Sequence, residues 1–233
     1  MRRDVLLRTL RENGILVFRT ADIARMTGQG TASVAVLLHR LASGRWAWRV
    51  SKGIYSITRD PYVVGTSVAH PSYVSFASAY HLHGIITQMP MTLTVATSRP
   101  RKAMDTEVGR IAFVQVRPSL VFGFKRERRG DGEARVADLE KATLDSLYLP
   151  RHAAFADTLE AIRHCDASIL ESYAERSGVE ALRRRVGYLL QQLRGGTSIR
   201  PEGATVHTLN PDRKVRGRFE PGWRLYVNEA VGT

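Results

Sequence analysis

A chain of 233 residues with 43% apolar side chains is long enough for one large or two small domains and too hydrophobic to be mainly disordered. Its single cysteine, Cys165, excludes an internal disulfide and a cysteine-rich zinc site, and no run approaches the roughly 20 apolar residues of a membrane-spanning helix. The formal charge of +13 points to a polyanionic partner.

That charge is uneven. Residues 1–60 hold 11 basic and 4 acidic side chains, against 24 and 18 in residues 61–233. Arginine dominates, and its planar fork suits guanine edges and phosphates better than lysine does. The opening segment MRRDVLLRTLREN mixes charges with apolar residues inside single turns, so it lacks the apolar block of a signal peptide. A cytoplasmic protein without membrane contact is expected.

In chain order, Asp4 to Glu12 reads as an amphipathic helix with Val5, Leu6, Leu7 and Leu10 on or near one face. Ile15 to Phe18 is a short apolar run suited to a strand. Thr20 is placed to cap a short helix through Ile23 and Met26, stopped at Gly28. After the turn Gly28-Gln29-Gly30, a second helix is predicted from Thr31 to Ala42, with Val34, Leu37, Leu38 and Leu41 as its buried stripe. Trp46 to Ile57 then reads as a hairpin around Ser51-Lys52-Gly53, with Gly53 in the left-handed region. Asp60-Pro61 is a plausible boundary.

This order predicts a winged helix-turn-helix over 1–60. The second helix of such a unit enters the major groove, and residues at its N-terminus meet base edges. Gln29, Thr31, Ser33, His39 and Arg40 are therefore the candidate base-reading residues, and Arg49 and Lys52 beside the hairpin turn suit phosphate or minor-groove contact. A winged helix used only for protein contact predicts a neutral or acidic face here; this one is polar and flanked by arginine.

Residues 61–233 read as a mixed domain: a helix at Ser72–His83, strands within 92–125 (Thr92–Ala96, Arg110–Val116, Leu120–Lys125), helices within 138–194 and tail strands within 205–227. A basic loop, Arg99 to Lys102, follows the first strand. The predicted helices are Leu139–Tyr148, Ala156–His164, Ile169–Glu175 and Val179–Leu193. The fold class expected for the whole chain is α+β, an N-terminal winged helix-turn-helix followed by a mixed α/β domain with a helical C-terminal half.

Enzymatic readings fare worse. His81 and His83 stand two apart, which on a helix puts them on different faces, so they make no metal pair. Asp138, Glu140 and Lys141 lack the spacing of a metal-dependent nuclease site, and Asp138 stands where a helix N-cap belongs. His164 and Cys165 are adjacent and diverge. No phosphate-binding glycine loop and no Gly-Ser with paired aspartates is present. No catalytic residue, cofactor or metal is expected, and a DNA-modifying enzyme targeted by the N-terminal unit is the minority reading. Arg183, Arg184 and Arg185 lie on an amphipathic helix, and at least two of the three are expected to face solvent, as either a solvated face or a second basic surface.

Beyond these local readings, the chain resembles the AbiEi-type antitoxins of type IV (abortive infection) toxin–antitoxin systems. The resemblance is carried by GIYSITRDPY at Gly53–Tyr62, YVSFASAYHLHGIITQMP at Tyr73–Pro90 and VADLEKATLDSLYLPR at Val136–Arg151. It continues in RRRVGYLLQQL at Arg183–Leu193, LNP at Leu209–Pro211 and WRLYVN at Trp223–Asn228. It implies a repressor that binds inverted repeats in its own promoter as a monomer or homodimer. It further implies a C-terminal domain that counteracts a nucleotidyltransferase-like toxin, often without a stable complex. Lys141 and Arg183 to Arg185 are the charges expected to be exposed in that domain. A plain regulator without a toxin partner is the remaining alternative.

Overall fold

The computed structural model describes residues 3–232. Met1, Arg2 and Thr233, which belong to the expected domain ranges (Met1 and Arg2 also to the segment read against a signal peptide), lie outside the described residues. The elements run α1 (Arg3–Glu12), β1 (Val17–Arg19), α2 (Thr20–Thr27), α3 (Thr31–Ser43), β2 (Trp48–Ser51), β3 (Ile54–Ser56), α4 (Pro61–Val68), β4 (Ser72–Val74) and α5 (Ala77–Leu82). There follow β5 (Thr92–Thr97), β6 (Met104–Thr106), β7 (Gly109–Gln115), β8 (Phe124–Arg129), β9 (Gly132–Ala137), α6 (Leu139–Tyr148), α7 (Phe155–His164), α8 (Ala167–Arg176) and α9 (Glu180–Arg194). The chain ends with β10 (His207–Thr208), β11 (Arg218–Glu220) and β12 (Leu225–Val227). The fold is mixed α+β. Among the described residues no helix is long and apolar enough to cross a membrane.

The chain forms two compact units that cut across the expected division at 60/61: one joins Met1–Val74, Met91–Val116 and Arg126–Val136, the other Ser75–Pro90, Arg117–Lys125 and Ala137–Thr233. In the first unit, Leu6, Leu7 and Leu10 bury one side of α1, while Val5, expected near that face, is exposed. Helix α2 starts at Thr20 itself. Its hydroxyl and amide are both turned to the carbonyl of Gly53, so Thr20 does not cap; Arg19 holds the cap position, and Asp22 accepts from its amide at 3.0 Å. Met26 faces solvent. A three-stranded sheet, ordered β1-β3-β2, closes this N-terminal part.

At Asp60-Pro61 the chain begins a helix instead of a linker. The Asp60 carboxylate accepts from the amides of Tyr62 (2.8 Å) and Val63 (3.1 Å), and Pro61 occupies the first turn, where no amide is needed. Helix α4 packs on β4, β5 and β7 through Gly65: a Cβ at that position would stand 2.9 Å from Leu93 and 3.0 Å from Val95. The predicted helix over 72–83 is a strand and then a shorter helix. Tyr73 and Val74 are buried and pair antiparallel with β5, Val74 also parallel with Val136 of β9, and Phe76 (φ 58°) breaks the chain direction before α5. The large sheet is ordered β6-β7-β5-β4-β9-β8, with β5 and β7 parallel over six residue pairs. The expected strand over 120–125 is displaced to β8, a charged edge strand whose sequence FKRERR resists strand pairing with other chains.

The second unit is built around α6, whose residues from Lys141 to Leu147 are all buried, packed by α5, α7, α8 and α9. Asp138 caps α6 as expected: one carboxylate oxygen accepts from the Lys141 amide at 2.8 Å, the other from the Tyr173 hydroxyl at 2.8 Å. The tail sheet, ordered β10-β12-β11, lies within the range 205–227 in which tail strands are expected.

Candidate nucleic-acid interface

The candidate surface is assembled by three local rules. Helix α2 ends because Gly28 takes the left-handed conformation (φ 67°) that other residues enter at a cost, and the Thr27 hydroxyl closes the last turn onto Ile23 at 2.8 Å. Gln29, half-buried, and Gly30 then redirect the chain. Gly30 has no side chain to cap α3, so the first amides of α3 have no side-chain acceptor and the positive end of the helix dipole stays uncovered by acid.

Along α3, Val34, Leu38 and Leu41 are buried and Leu37 is half-buried, which turns the opposite stripe outward. Thr31, Ser33, Val36, His39, Arg40 and Ser43 are exposed. Ser33, Val36, Arg40 and Ser43 follow the three- and four-residue steps that place side chains above one another on one helical face. An edge-reading surface needs such a row of donors and acceptors with an apolar member for thymine methyls, and Val36 supplies the last.

The hairpin stands beside it. Strand β2 pairs antiparallel with β3, with a bulge between Arg49 and Ser51, and the turn Lys52-Gly53 has Gly53 at φ 72°. Thr20 donates to the Gly53 carbonyl through its amide at 3.0 Å, which pins the turn to the start of α2. Arg49 and Lys52 are exposed. The register also brings in Arg19, which lies opposite Ile54 at the end of β1 and is exposed. Arg19 is not among the residues the sequence singles out, because its pairing with the hairpin is set by the fold and not by local pattern.

The surface is not screened by acid. Of the four acidic residues in 1–60, Asp4 pairs with Arg3, Asp22 with Arg25, Asp60 caps α4, and Glu12 is exposed at the end of α1. Among the described residues, Arg40, Arg49 and Lys52 have no acidic partner. Trp46, the large exposed ring nearby, is covered on one face by Arg3 at 4.5 Å.

The charges expected to be exposed in the second part of the chain are not. Lys141 is fully buried and paired with Asp145 one helical turn away, and Ser75 donates to the same carboxylate at 2.7 Å. Burial pushes the Lys141 ammonium down, against the pull of Asp145. Arg184 is 1% exposed: it donates to the carbonyls of Trp223 (3.1 Å), Gly203 (2.9 Å) and Glu202, and pairs with Glu180. Arg185 donates to Thr208 (3.0 Å) and Leu147 (2.7 Å), and burial brings its guanidinium down to about 10. Arg183 is half-buried between Glu175 and Glu202. The expectation fails because the tail, absent from any helical-wheel argument, folds onto α9 and offers these arginines its carbonyls.

Three residues weighed for an enzymatic reading have partners within the fold. His83 lies 2.8 Å from the Ala137 carbonyl, His164 pairs with Glu160, and Cys165 is buried against Thr143, its thiol pushed up to about 12 by burial. Among the described residues no group of three or more His, Cys, Asp or Glu side chains is arranged to hold a metal ion. Compared with known proteins, the chain matches no protein-family model and no curated sequence.

Proposed function

We propose that the N-terminal part is a winged helix-turn-helix that binds duplex DNA, with α3 in the major groove and the β2–β3 hairpin as its wing. The observation that carries this reading is the exposed, acid-free row on α3 next to the basic hairpin turn. Ser33, His39 and Arg40, with Gln29 and Thr31 at the helix entrance, read bases; Arg49, Lys52 and Arg19 hold the backbone.

We further propose that the protein is a cytoplasmic autorepressor and antitoxin of a type IV toxin–antitoxin operon. It binds inverted repeats upstream of its own gene and counteracts a nucleotidyltransferase-like toxin without itself being an enzyme. Support for this second step comes from the resemblance to AbiEi-type antitoxins over Gly53–Tyr62, Tyr73–Pro90 and Val136–Arg151. A two-fold repeat would be occupied by two copies or a dimer.

The test is binding of the purified protein to its own upstream DNA, read against salt. Affinity should fall steeply as salt rises, because neutralised phosphates release counterions. Equal affinity for upstream and scrambled DNA would remove the repressor; no affinity for either would remove the DNA-binding reading. Co-expression with the product of the neighbouring gene tests the antitoxin step: growth arrest by that product must be relieved by this chain.

A further inference from the structure

The basic loop between β5 and β6 is a charged segment of the sequence that the DNA-binding reading leaves unused. It carries Arg99, Arg101 and Lys102 and belongs to the same compact unit as the hairpin, where β6 packs along β2. Arg99 and Lys102 are exposed. Arg101 is half-buried, with its guanidinium 5.2 Å above the Phe113 ring and one terminal nitrogen 3.4 Å from the Met104 sulfur.

Arg101 makes fewer internal hydrogen bonds than the arginines that hold this fold together, although Arg184 also keeps a buried, unpartnered Nε. Arg135 donates to the carbonyls of Ser72 and Thr66, Arg184 to those of Trp223 and Gly203, and Arg185 to those of Thr208 and Leu147. The Nε of Arg101 is buried with no hydrogen-bond partner. Its charged neighbour is another cation: burial pushes the Arg101 guanidinium down, and the charge of Arg19 pushes it further the same way. The nearby acids are engaged elsewhere, Asp105 with Arg110 at 3.1 Å and Asp22 with Arg25 and the Arg19 amide. Burying a guanidinium beside another cation costs free energy that a phosphate near the loop would recover. Strand β6, into which the loop runs, packs along β2, so a phosphate bound there would sit beside the wing.

We propose that Arg99 and Lys102, with Arg101 between them, form a second backbone-gripping element that binds phosphates of duplex DNA flanking the hairpin turn. It adds affinity and footprint but no sequence preference, since phosphates carry none. The inference rests on the DNA-binding reading above and extends it to a segment outside the helix-turn-helix.

The experiment compares wild type, Arg99→Ala/Lys102→Ala, Arg101→Gln and Arg40→Ala on the upstream duplex and on a scrambled duplex of equal length, across a salt series. The loop variants are expected to lose affinity equally for both duplexes. Their plots of log affinity against log salt should flatten by about 0.9 for each phosphate that is no longer neutralised. Arg40→Ala should instead lose the difference between the duplexes. Wild-type slope and affinity in Arg99→Ala/Lys102→Ala, with Arg40→Ala weakened, would overturn the loop proposal and leave the DNA-binding reading standing. Loss of binding in Arg101→Gln alone, with a lowered melting temperature, would also overturn it, by assigning Arg101 to packing on Phe113. No binding by wild type to either duplex would overturn both.

Discussion

The amide of Thr20 donates to the carbonyl of Gly53 at 3.0 Å, so the first residue of α2 holds the hairpin turn in place across 33 positions of sequence. The turn is accordingly set by the core on which α2 sits, and its cations are presented at a fixed distance from α3. Gly53 lies at φ 72°, where a branched residue is strained by about 1–2 kcal/mol. Gly53→Val should destabilise the protein by that order and weaken binding to all duplexes, whereas Gly53→Asn should retain both. Chemical denaturation and fluorescence anisotropy on labelled DNA read the two effects separately.

Arg40 and Lys52 should fail in different ways. Arg40→Ala removes a candidate base contact and should cost about 1–3 kcal/mol on the preferred duplex with little effect on a scrambled one. Lys52→Ala removes a candidate phosphate contact and should weaken both alike, with a shallower salt dependence. Identical behaviour of the two variants would place α3 outside the groove.

Lys141 and Asp145 should carry a large stability effect. Both side chains are shielded from water, so removing either leaves its partner as an uncompensated buried charge, at a cost of about 3–5 kcal/mol. Lys141→Met should lower the denaturation midpoint accordingly. Lys141→Met/Asp145→Leu should recover part of the loss, because neither charge of the pair then remains buried. A midpoint for the double variant below that of both single variants would refute the argument.

Cys165 should be silent to thiol reagents in the native protein. It is 2% exposed and its thiol is pushed up to about 12, so little thiolate exists at neutral pH and little of the sulfur is reachable. Modification by an aromatic disulfide should proceed at the rate of unfolding and become fast in denaturant.

Glu171 sets an acid limit on the second unit. Burial alone would raise its carboxyl, but the hydroxyls of Ser198 and Thr197 and the amide of Ser198 outweigh that and hold it below the usual range. A carboxyl lowered on folding contributes stability that is full above its unfolded value and lost as pH falls through its folded value. Below about pH 4.5 the thermal midpoint of wild type should therefore drop more steeply than that of Glu171→Gln. Parallel curves would show that the carboxylate does not matter.

These residues also mark how much of the fold is legible in the sequence. The α1-to-β3 order is readable because apolar periodicity, Gly28 and Gly53 are local signals, each sufficient within a few residues. So is the cap at Asp138. Strand β8 is misplaced by such a reading because its charges are an edge strand's protection, which a search for apolar alternation passes over. Lys141, Arg184 and Arg185 are misjudged for a related reason. A charged side chain is assigned to solvent unless its acceptors are known, and here the acceptors are Asp145 and the carbonyls of a tail some twenty to forty residues away. Arg19 depends on pairing between strands and can be found only once β1 is placed.

The path of the chain between its two compact units has a practical corollary. The polypeptide passes from one to the other five times, at boundaries that fall after Val74, Pro90, Val116, Lys125 and Val136. No single cut in the gene separates them, and a fragment ending near residue 60 would lack the sheet that completes its own unit. Neither half is therefore a contiguous stretch that a simple truncation or fusion could carry away. Expressing either one alone would require splicing separate pieces of the sequence together.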